Sequence, residues 1–312
     1  MTFTRSVSTG NYGPAKFIVD GTTTANGTHS TIAAALAVAS SGDTIFIRPG
    51  TYTENPTVST SGITLCGMGG NGLNYDGTSL GVTITGKISF THATGITKFA
   101  NIQFNSNSDN IFSVTGTAAP SVYVQDCYFY STTNVFMLNS SSGGGRYYLY
   151  RCNGNLGGTA VAVFNVTGAG TSLIFNDCYW LNGGSTTAST LNATGTTVSI
   201  IGGQWQNGLT LQSSSAANFH NTSLTVTGLG AAMITTSSTA TFVASNSRFT
   251  TDGQAVASIG AGTVGTMVNC ALDSSAANVL TGAGTLKYAV LSFMGTSSGH
   301  NVTTETNLAS IL

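Results

Sequence analysis

The chain has 312 residues, a formal net charge of −1 and only 6% charged residues. This charge excludes the basic surface that binds nucleic acid through its phosphates, and the lack of a run of about 18 apolar residues excludes a predicted membrane span. With 41% hydrophobic residues, the chain is too apolar for intrinsic disorder. Its evenly spread Val, Ile, Phe, Tyr and Thr are typical of β-structure.

The N-terminal residues, "MTFTRSVSTGNYG", contain no apolar h-region, so we expect no cleaved secretory signal. A short helix is predicted next, in "HSTIAAALAVASSGD". Ser30 or Thr31 can cap it, an apolar side is formed by Ile32, Leu36 and Ala39, and Gly42 is expected to end it. We interpret residues 1–44 as an N-terminal segment with a helix that covers the open end of a stack of strands.

Three strands are predicted after the helix, near Ile45, Ile63 and Val82, at short and nearly equal intervals. The stretch "TIAAALAVASSGDTIFIRPGTYTEN", Thr31 to Asn55, resembles the opening of the pectin-lyase-like superfamily. The shared features are the helix followed by "SGDTI" and "PGTYTE". This resemblance implies a right-handed parallel β-helix. It does not imply one activity, since the superfamily includes lyases, hydrolases, esterases, tailspikes and inert surface proteins.

A longer period follows, in which a polar residue precedes a small inward residue and, two positions later, a large apolar one. The inward positions recur at nearly constant spacing, with one shorter interval before Thr222, and they are Ile102, Cys127, Cys152, Cys178, Gly203, Thr222, Ser247 and Cys270. Four of the five cysteines therefore occupy one slot. A period of roughly two dozen amino acids without a helical pattern predicts a β-solenoid.

The sequence thus predicts an all-β fold: a single right-handed parallel β-helix of roughly eleven or twelve coils over residues 45–285. Residues 286–312 are predicted to form a C-terminal strand and tail that cap the last coil or contact other subunits. Cys127, Cys152 and Cys178 are expected to stack as buried thiols. A disulfide between neighbours is geometrically possible, but we favour free thiols. No metal site and no cofactor are predicted.

One column of charged residues, Asp126, Arg151 and Asp177, is expected at the same corner of three successive coils. Two acids around one Arg resemble the Asp, Asp and Arg of pectin methylesterases, whose "GQDTL" and "DFIFG" segments are absent here. These three residues are the catalytic candidates if the protein is an enzyme. The interpretation that we favour is a ladder of alternating charge, in which each exposed pair contributes about 0–1 kcal/mol.

A second column is expected to face outward beside the cysteines. Its aromatic and amide side chains suit sugar rings, because they offer apolar faces and hydrogen bonds. They suit a subunit interface equally well, and the sequence leaves both interpretations open. The predicted members of this face are Gln103, Tyr128, Tyr130, Asn153, Tyr179, Gln204 and Arg248.

The C-terminal stretch "LKYAVLSFMGTSSGHNVTTETNL" looks like the endings of phage and other viral fibre proteins. The leading hypothesis is a viral structural protein: a fibre, spike or capsid-decorating subunit that is made in the host cytoplasm and displayed on the virion. It is expected to form homotrimers, to contact other virion proteins and to touch surface polysaccharides. One alternative is a carbohydrate-active enzyme of the same fold. The other is an extracellular bacterial surface or filament-forming module.

Overall fold

The computed structural model describes the chain in thirteen stretches, which contain all the residues discussed below. They are residues 15–21, 28–69, 81–106, 110–114, 118–131, 137–141, 143–156, 162–182, 190–206, 208–226, 232–276, 278–294 and 299–307.

The N-terminal part contains one strand and the predicted helix: β1 (Ala15–Val19) and α1 (Ile32–Val38). Thr31 is the N-cap, and its hydroxyl accepts a hydrogen bond from the Ala34 amide. The Glu54 carboxylate accepts hydrogen bonds from the first two helical amides, Ile32 and Ala33, at 2.9 and 2.8 Å. The helix ends at Val38, before Gly42, and packs on the first strands of the solenoid through its buried side.

Within the described stretches, nine regular turns follow, each with three separate strands. Their strands are β2 (Thr44–Ile47), β3 (Gly50–Thr53), β4 (Thr57–Val58), β5 (Thr64–Gly67), β6 (Val82–Thr85), β7 (Ile88–Phe90), β8 (Ile96–Ala100), β9 (Ile102–Asn105), β10 (Phe112–Val114), β11 (Ser121–Gln125), β12 (Tyr128–Ser131), β13 (Leu138–Ser140), β14 (Arg146–Tyr150), β15 (Asn153–Leu156), β16 (Ala162–Val166), β17 (Thr171–Asn176), β18 (Tyr179–Asn182), β19 (Thr190–Thr194), β20 (Thr196–Ile201), β21 (Gln204–Trp205), β22 (Gly208–Gln212), β23 (Ala216–His220), β24 (Ser223–Val226), β25 (Ile234–Thr236), β26 (Thr241–Ser245), β27 (Arg248–Thr251) and β28 (Ala257–Ile259).

Three long strands complete the described fold: β29 (Val264–Ser274), β30 (Asn278–Met294) and β31 (Gly299–Asn307). Each of these strands covers positions that belong to separate strands in the regular turns. The parallel pairing continues from β29 through β30 to β31. The expected eleven or twelve coils therefore correspond to nine regular turns plus these long strands. The ladder crosses residue 286 without interruption, since Leu286 pairs with Gly265.

All pairings between neighbouring turns are parallel, which confirms the predicted parallel β-solenoid. The first, second and third strands of successive turns stack into three sheets, here called faces A, B and C. Face A runs from β1 and β2 through β5, β8, β11 and every third strand to β26, and then into β29. Face B contains β3, β6, β9 and their successors, and face C contains β4, β7, β10 and theirs.

One predicted strand lies on a different face from the one expected. Ile45 and Leu65 stack on face A, but Val82 pairs with Gly50 and belongs to face B. The next strand of face A is β8, which pairs with β5. The connection from β5 to β6 is longer than that from β2 to β3, and this length produces the misleading spacing. The apparently regular short interval therefore joined two different faces.

From the third regular turn onward, the corner between faces A and B is made by one residue in the left-handed backbone conformation. Asp126, Arg151 and Asp177 have φ of 52°, 49° and 51°. This region of φ favours Gly, Asn and Asp. The same corner is formed in other turns by Asn101, Gly202, Asn221, Asn246, Asn269 and Val290. The polar residue of the sequence period is therefore a turn residue.

The next residue in each turn points inward and stacks with its equivalents, as predicted for the cysteines. Cys127, Cys152 and Cys178 are buried free thiols. The Cys152 thiol donates to the carbonyls of Val124 and Tyr150 at 3.4 and 3.5 Å. Thr222 and Ser247 occupy the same slot and donate hydroxyl hydrogens to the corresponding carbonyls. Most of the slot is therefore filled by small side chains that donate to the backbone at the corner, while Ile102 and Leu291 fill it with apolar side chains.

Candidate functional site

The predicted outward column exists as one register on face B. Gln103 pairs with Tyr128, and Tyr128 with Asn153. The register then continues through Tyr179, Gln204, Ser223 and Arg248. Tyr128 exposes only 9% of its surface, whereas Tyr179 exposes 40%. The accessible aromatic group of this column is therefore Tyr179.

Tyr179 begins β18 and lies between two amide side chains. Its register neighbours are Asn153 on one side and Gln204 on the other. Since Cys178 before it and Trp180 after it are buried, strand alternation directs Tyr179 outward. Adjacent turns are about 4.8 Å apart, so one pyranose ring over Tyr179 lies within reach of both amides. We call Asn153, Tyr179 and Gln204 the amide–tyrosine platform.

The remaining predicted members of this face have other surroundings. Tyr130 stacks between Asn105 and Asn155 in the parallel register two positions further along, and it is half-buried. Arg248 pairs with Asp273 of the next turn, with 3.0 Å between Nη2 and Oδ2. Among the described residues, Arg248 therefore forms its ion pair with Asp273 and not with a member of the platform.

The charged column lies at the corner beside the platform. Arg151 binds both carboxylate oxygens of Asp126, with Nε and Nη2 at 2.8 and 2.7 Å. Gln125 donates a further hydrogen bond to Asp126 at 3.0 Å. The guanidinium also lies 4.4 Å from the centre of the Tyr150 ring and donates to its hydroxyl at 3.2 Å. The hydrogen bonds to Asp126 raise the pKa of Arg151, so this side chain stays charged.

Asp177 is in the same column but is not part of this cluster. Among the contacts of the described residues, it makes no side-chain hydrogen bond or ion pair with Arg151. Its exposed carboxylate leans over Gly202 of the next turn, where an added Cβ would overlap Oδ1. The structure therefore joins two of the three predicted residues and leaves the third as a separate carboxylate next to Tyr179.

The pairing with Arg151 makes Asp126 unsuited to donate a proton as a general acid. A general acid must hold a proton, but both oxygens of Asp126 accept hydrogen bonds from Arg151. Two turns of about 4.8 Å separate Asp126 from Asp177, and Arg151 lies between them. Within the described residues, no group of three or more His, Cys, Asp or Glu side chains is placed to hold a metal ion. The geometry favours the charge ladder at Asp126 and Arg151.

The sequence reasoning did not identify a second aromatic cluster, on face A. The rings of Tyr123 and Tyr148 stack with centroids 4.4 Å apart and planes inclined by 13°. Burial and the neighbouring Tyr148 raise the pKa of Tyr123. The signal was present in "SVYVQ" and "RYYLY", which place these two tyrosines in the same phase of adjacent turns.

No protein-family model matches the sequence, and no curated protein matches it either. Among solved structures, the fold is similar to that of pectin methylesterase from carrot. The two chains are 14% identical, the match covers 96% of this chain and 90% of that one, and the TM-score is 0.45. The described part of the chain has no helix with the length and apolarity that a membrane crossing requires.

Proposed function

We propose that this protein is a structural subunit of an exposed surface, a virion fibre, spike or capsid decoration, that binds glycans without cleaving them. The observation that supports glycan contact is the amide–tyrosine platform. Tyr179 offers an accessible ring, and Asn153 and Gln204 offer donors and acceptors on both sides of it. Sugar recognition uses this combination of an apolar ring face and convergent hydrogen bonds.

A non-catalytic role is supported by the positions of the two carboxylates. Arg151 binds both oxygens of Asp126, and Asp177 lies two turns away, outside this ion pair. The long parallel strands of the C-terminal portion, β30 and β31, support a rod-like structural role. The viral assignment also takes support from the likeness of residues 286–308 to the endings of viral fibre proteins.

Glycan binding is tested by titrating the protein with a panel of surface oligosaccharides in a calorimeter. We expect Tyr179→Ala to weaken binding about tenfold, equivalent to about 1.4 kcal/mol, and Tyr179→Phe to retain most of the affinity because the ring remains. Tyr148→Ala, on face A, is the matched control and should bind as the wild type does. Absence of binding by the wild type to every member of the panel would contradict the proposal.

Catalysis is tested on the same panel by measuring the release of reducing ends and of methanol. We expect no release above the protein-free control. Release that disappears in both Asp126→Asn and Asp177→Asn would establish the enzymatic alternative instead. The virion assignment is tested by mass spectrometry of purified virus particles, in which the chain is expected at a fixed ratio to the capsid protein.

A further inference from the structure

The three faces of the solenoid differ in the side chains that they expose. Most of the exposed large apolar side chains on strands lie on face A: Ile96, Tyr123, Tyr150, Ile201, Val243 and Val268. On face B the exposed member is Tyr179. We call the six residues of face A the apolar stripe.

Face C provides the contrast within the same molecule. Its central outward column consists of Ser113, Asn139, Asn165, Asn192 and Thr210. The Asn165 amide donates to Asn139 at 3.0 Å, so these polar groups bond along the column. The apolar character of face A is therefore a property of that face and not of the composition.

We infer that the apolar stripe is an interface between copies of this chain. Its dimensions fit this role. The stripe crosses eight strands of face A, from β8 to β29, and at about 4.8 Å per strand and about five residues per strand it covers roughly 38 by 17 Å, or about 650 Å². This area is close to the contribution of each partner to a standard stable interface, which is about 800 Å².

The charge distribution also favours a second copy. The outward positions of β17, β20, β23, β26 and the first part of β29 contain no Asp, Glu, Lys or Arg. Depletion of charged residues marks the core of protein interfaces. The outward charges Lys98 and Arg146 lie at the other end of the face, on β8 and β14. Two rods related by a two-fold axis parallel to their length present the same stripe to one another.

Two observations make a glycan a poorer occupant of this stripe. The inner faces of Tyr123 and Tyr148 cover each other, so the stack presents mainly ring edges. The C-terminal half of the stripe, Ile201, Val243 and Val268, is aliphatic and offers no aromatic ring on which a sugar can stack. The inference concerns a different face from the amide–tyrosine platform, and it stands whether or not that platform binds glycans.

The test is the molar mass in solution, measured by light scattering over a wide range of concentration. We expect the wild type to have two or more times the 31.7 kDa chain mass. The double variant Ile201→Lys, Val243→Lys should be monomeric. The matched control is Thr210→Lys, Ser258→Lys, which places two lysines on face C of the same two turns and should keep the wild-type mass. A monomeric wild type, or equal dissociation of variant and control, would overturn the inference.

A second measurement covers the case in which the lysine variant does not fold. Val243→Cys should form a disulfide-linked dimer under mild oxidation, because this position repeats across the interface. Ser258→Cys, on face C, should remain monomeric under the same conditions. The five native thiols are buried and should not contribute. Equal crosslinking of the two variants, or none in Val243→Cys, would overturn the inference as well.

Discussion

Gly154 is required by the packing of one tryptophan. It lies on the inward side of β15, in the column that contains Phe129, Trp180 and Trp205. A Cβ at this position would overlap Cε3 and Cζ3 of Trp180. The Phe129 and Trp180 rings, whose strands lie on either side of β15, are 5.6 Å apart between centroids. The tryptophan thus fills the space that the missing side chain leaves.

We predict that Gly154→Ala destabilises the protein by about 2 kcal/mol. Overpacking a buried site costs about 1–3 kcal/mol, and the loss of unfolded-state freedom offsets about 0.4–1 kcal/mol of that. The upper part of the range applies because Trp180 has little room to move. It is fully buried, and its centroid lies 5.2 Å from that of Phe164 and 5.9 Å from those of Phe175 and Trp205.

The assay is urea unfolding followed by tryptophan fluorescence and by circular dichroism. The control is a double-mutant cycle with Trp180→Phe, whose smaller ring removes the overlapping atoms. The two changes together should cost less than the sum of the two single changes, by about 1 kcal/mol or more. Wild-type stability of Gly154→Ala, or strict additivity in the cycle, would refute this packing argument.

Three further predictions concern single positions. Val290 is a β-branched residue at φ 52° with an exposed side chain. Val290→Asn should therefore stabilise the protein by about 1 kcal/mol in urea unfolding, and a loss of stability would contradict the assignment of Val290 to the corner. Burial raises the pKa of Cys127 to about 12 and all five thiols are buried, so a thiol reagent at mildly alkaline pH should label none in the native protein and five after denaturation. Burial lowers the pKa of His92 below its ordinary value of 6.5. The unfolded state therefore binds more protons below that pH, and the free energy of unfolding should fall on acidification from about pH 7 to pH 5. His92→Asn should reduce this pH dependence, and an unchanged dependence would contradict the role of His92.

The fold could be predicted from the sequence because a solenoid repeats one local rule. The position before the inward slot adopts positive φ and the slot itself is most often small, so Asp126 and Cys127 recur as Asp177 and Cys178. Spacing along the sequence predicts the faces incorrectly where the length of a turn changes. The connection before β6 is longer, so the spacing groups Val82 with Ile45 and Ile63 although it lies on face B.

The candidate site was less predictable because it depends on side-chain contacts between turns. The register of Tyr179 with Asn153 and Gln204 follows from the period, but the burial of Tyr128 does not. Nothing in the residue pattern shows that Arg151 selects Asp126 and not Asp177. Both acids are one turn from the arginine, and only the side-chain conformations distinguish them.

The parallel register of successive turns underlies both the platform and the stripe, and disulfide trapping tests it most directly. Asn139 and Asn165 are register neighbours on face C, at a separation of about 4.8 Å that a disulfide can bridge. We predict that Asn139→Cys, Asn165→Cys forms an intramolecular disulfide in high yield under mild oxidation, while Asn139→Cys, Val166→Cys, one residue out of register, does not. Efficient closure of the second pair without the first would contradict the stacking of turns described here.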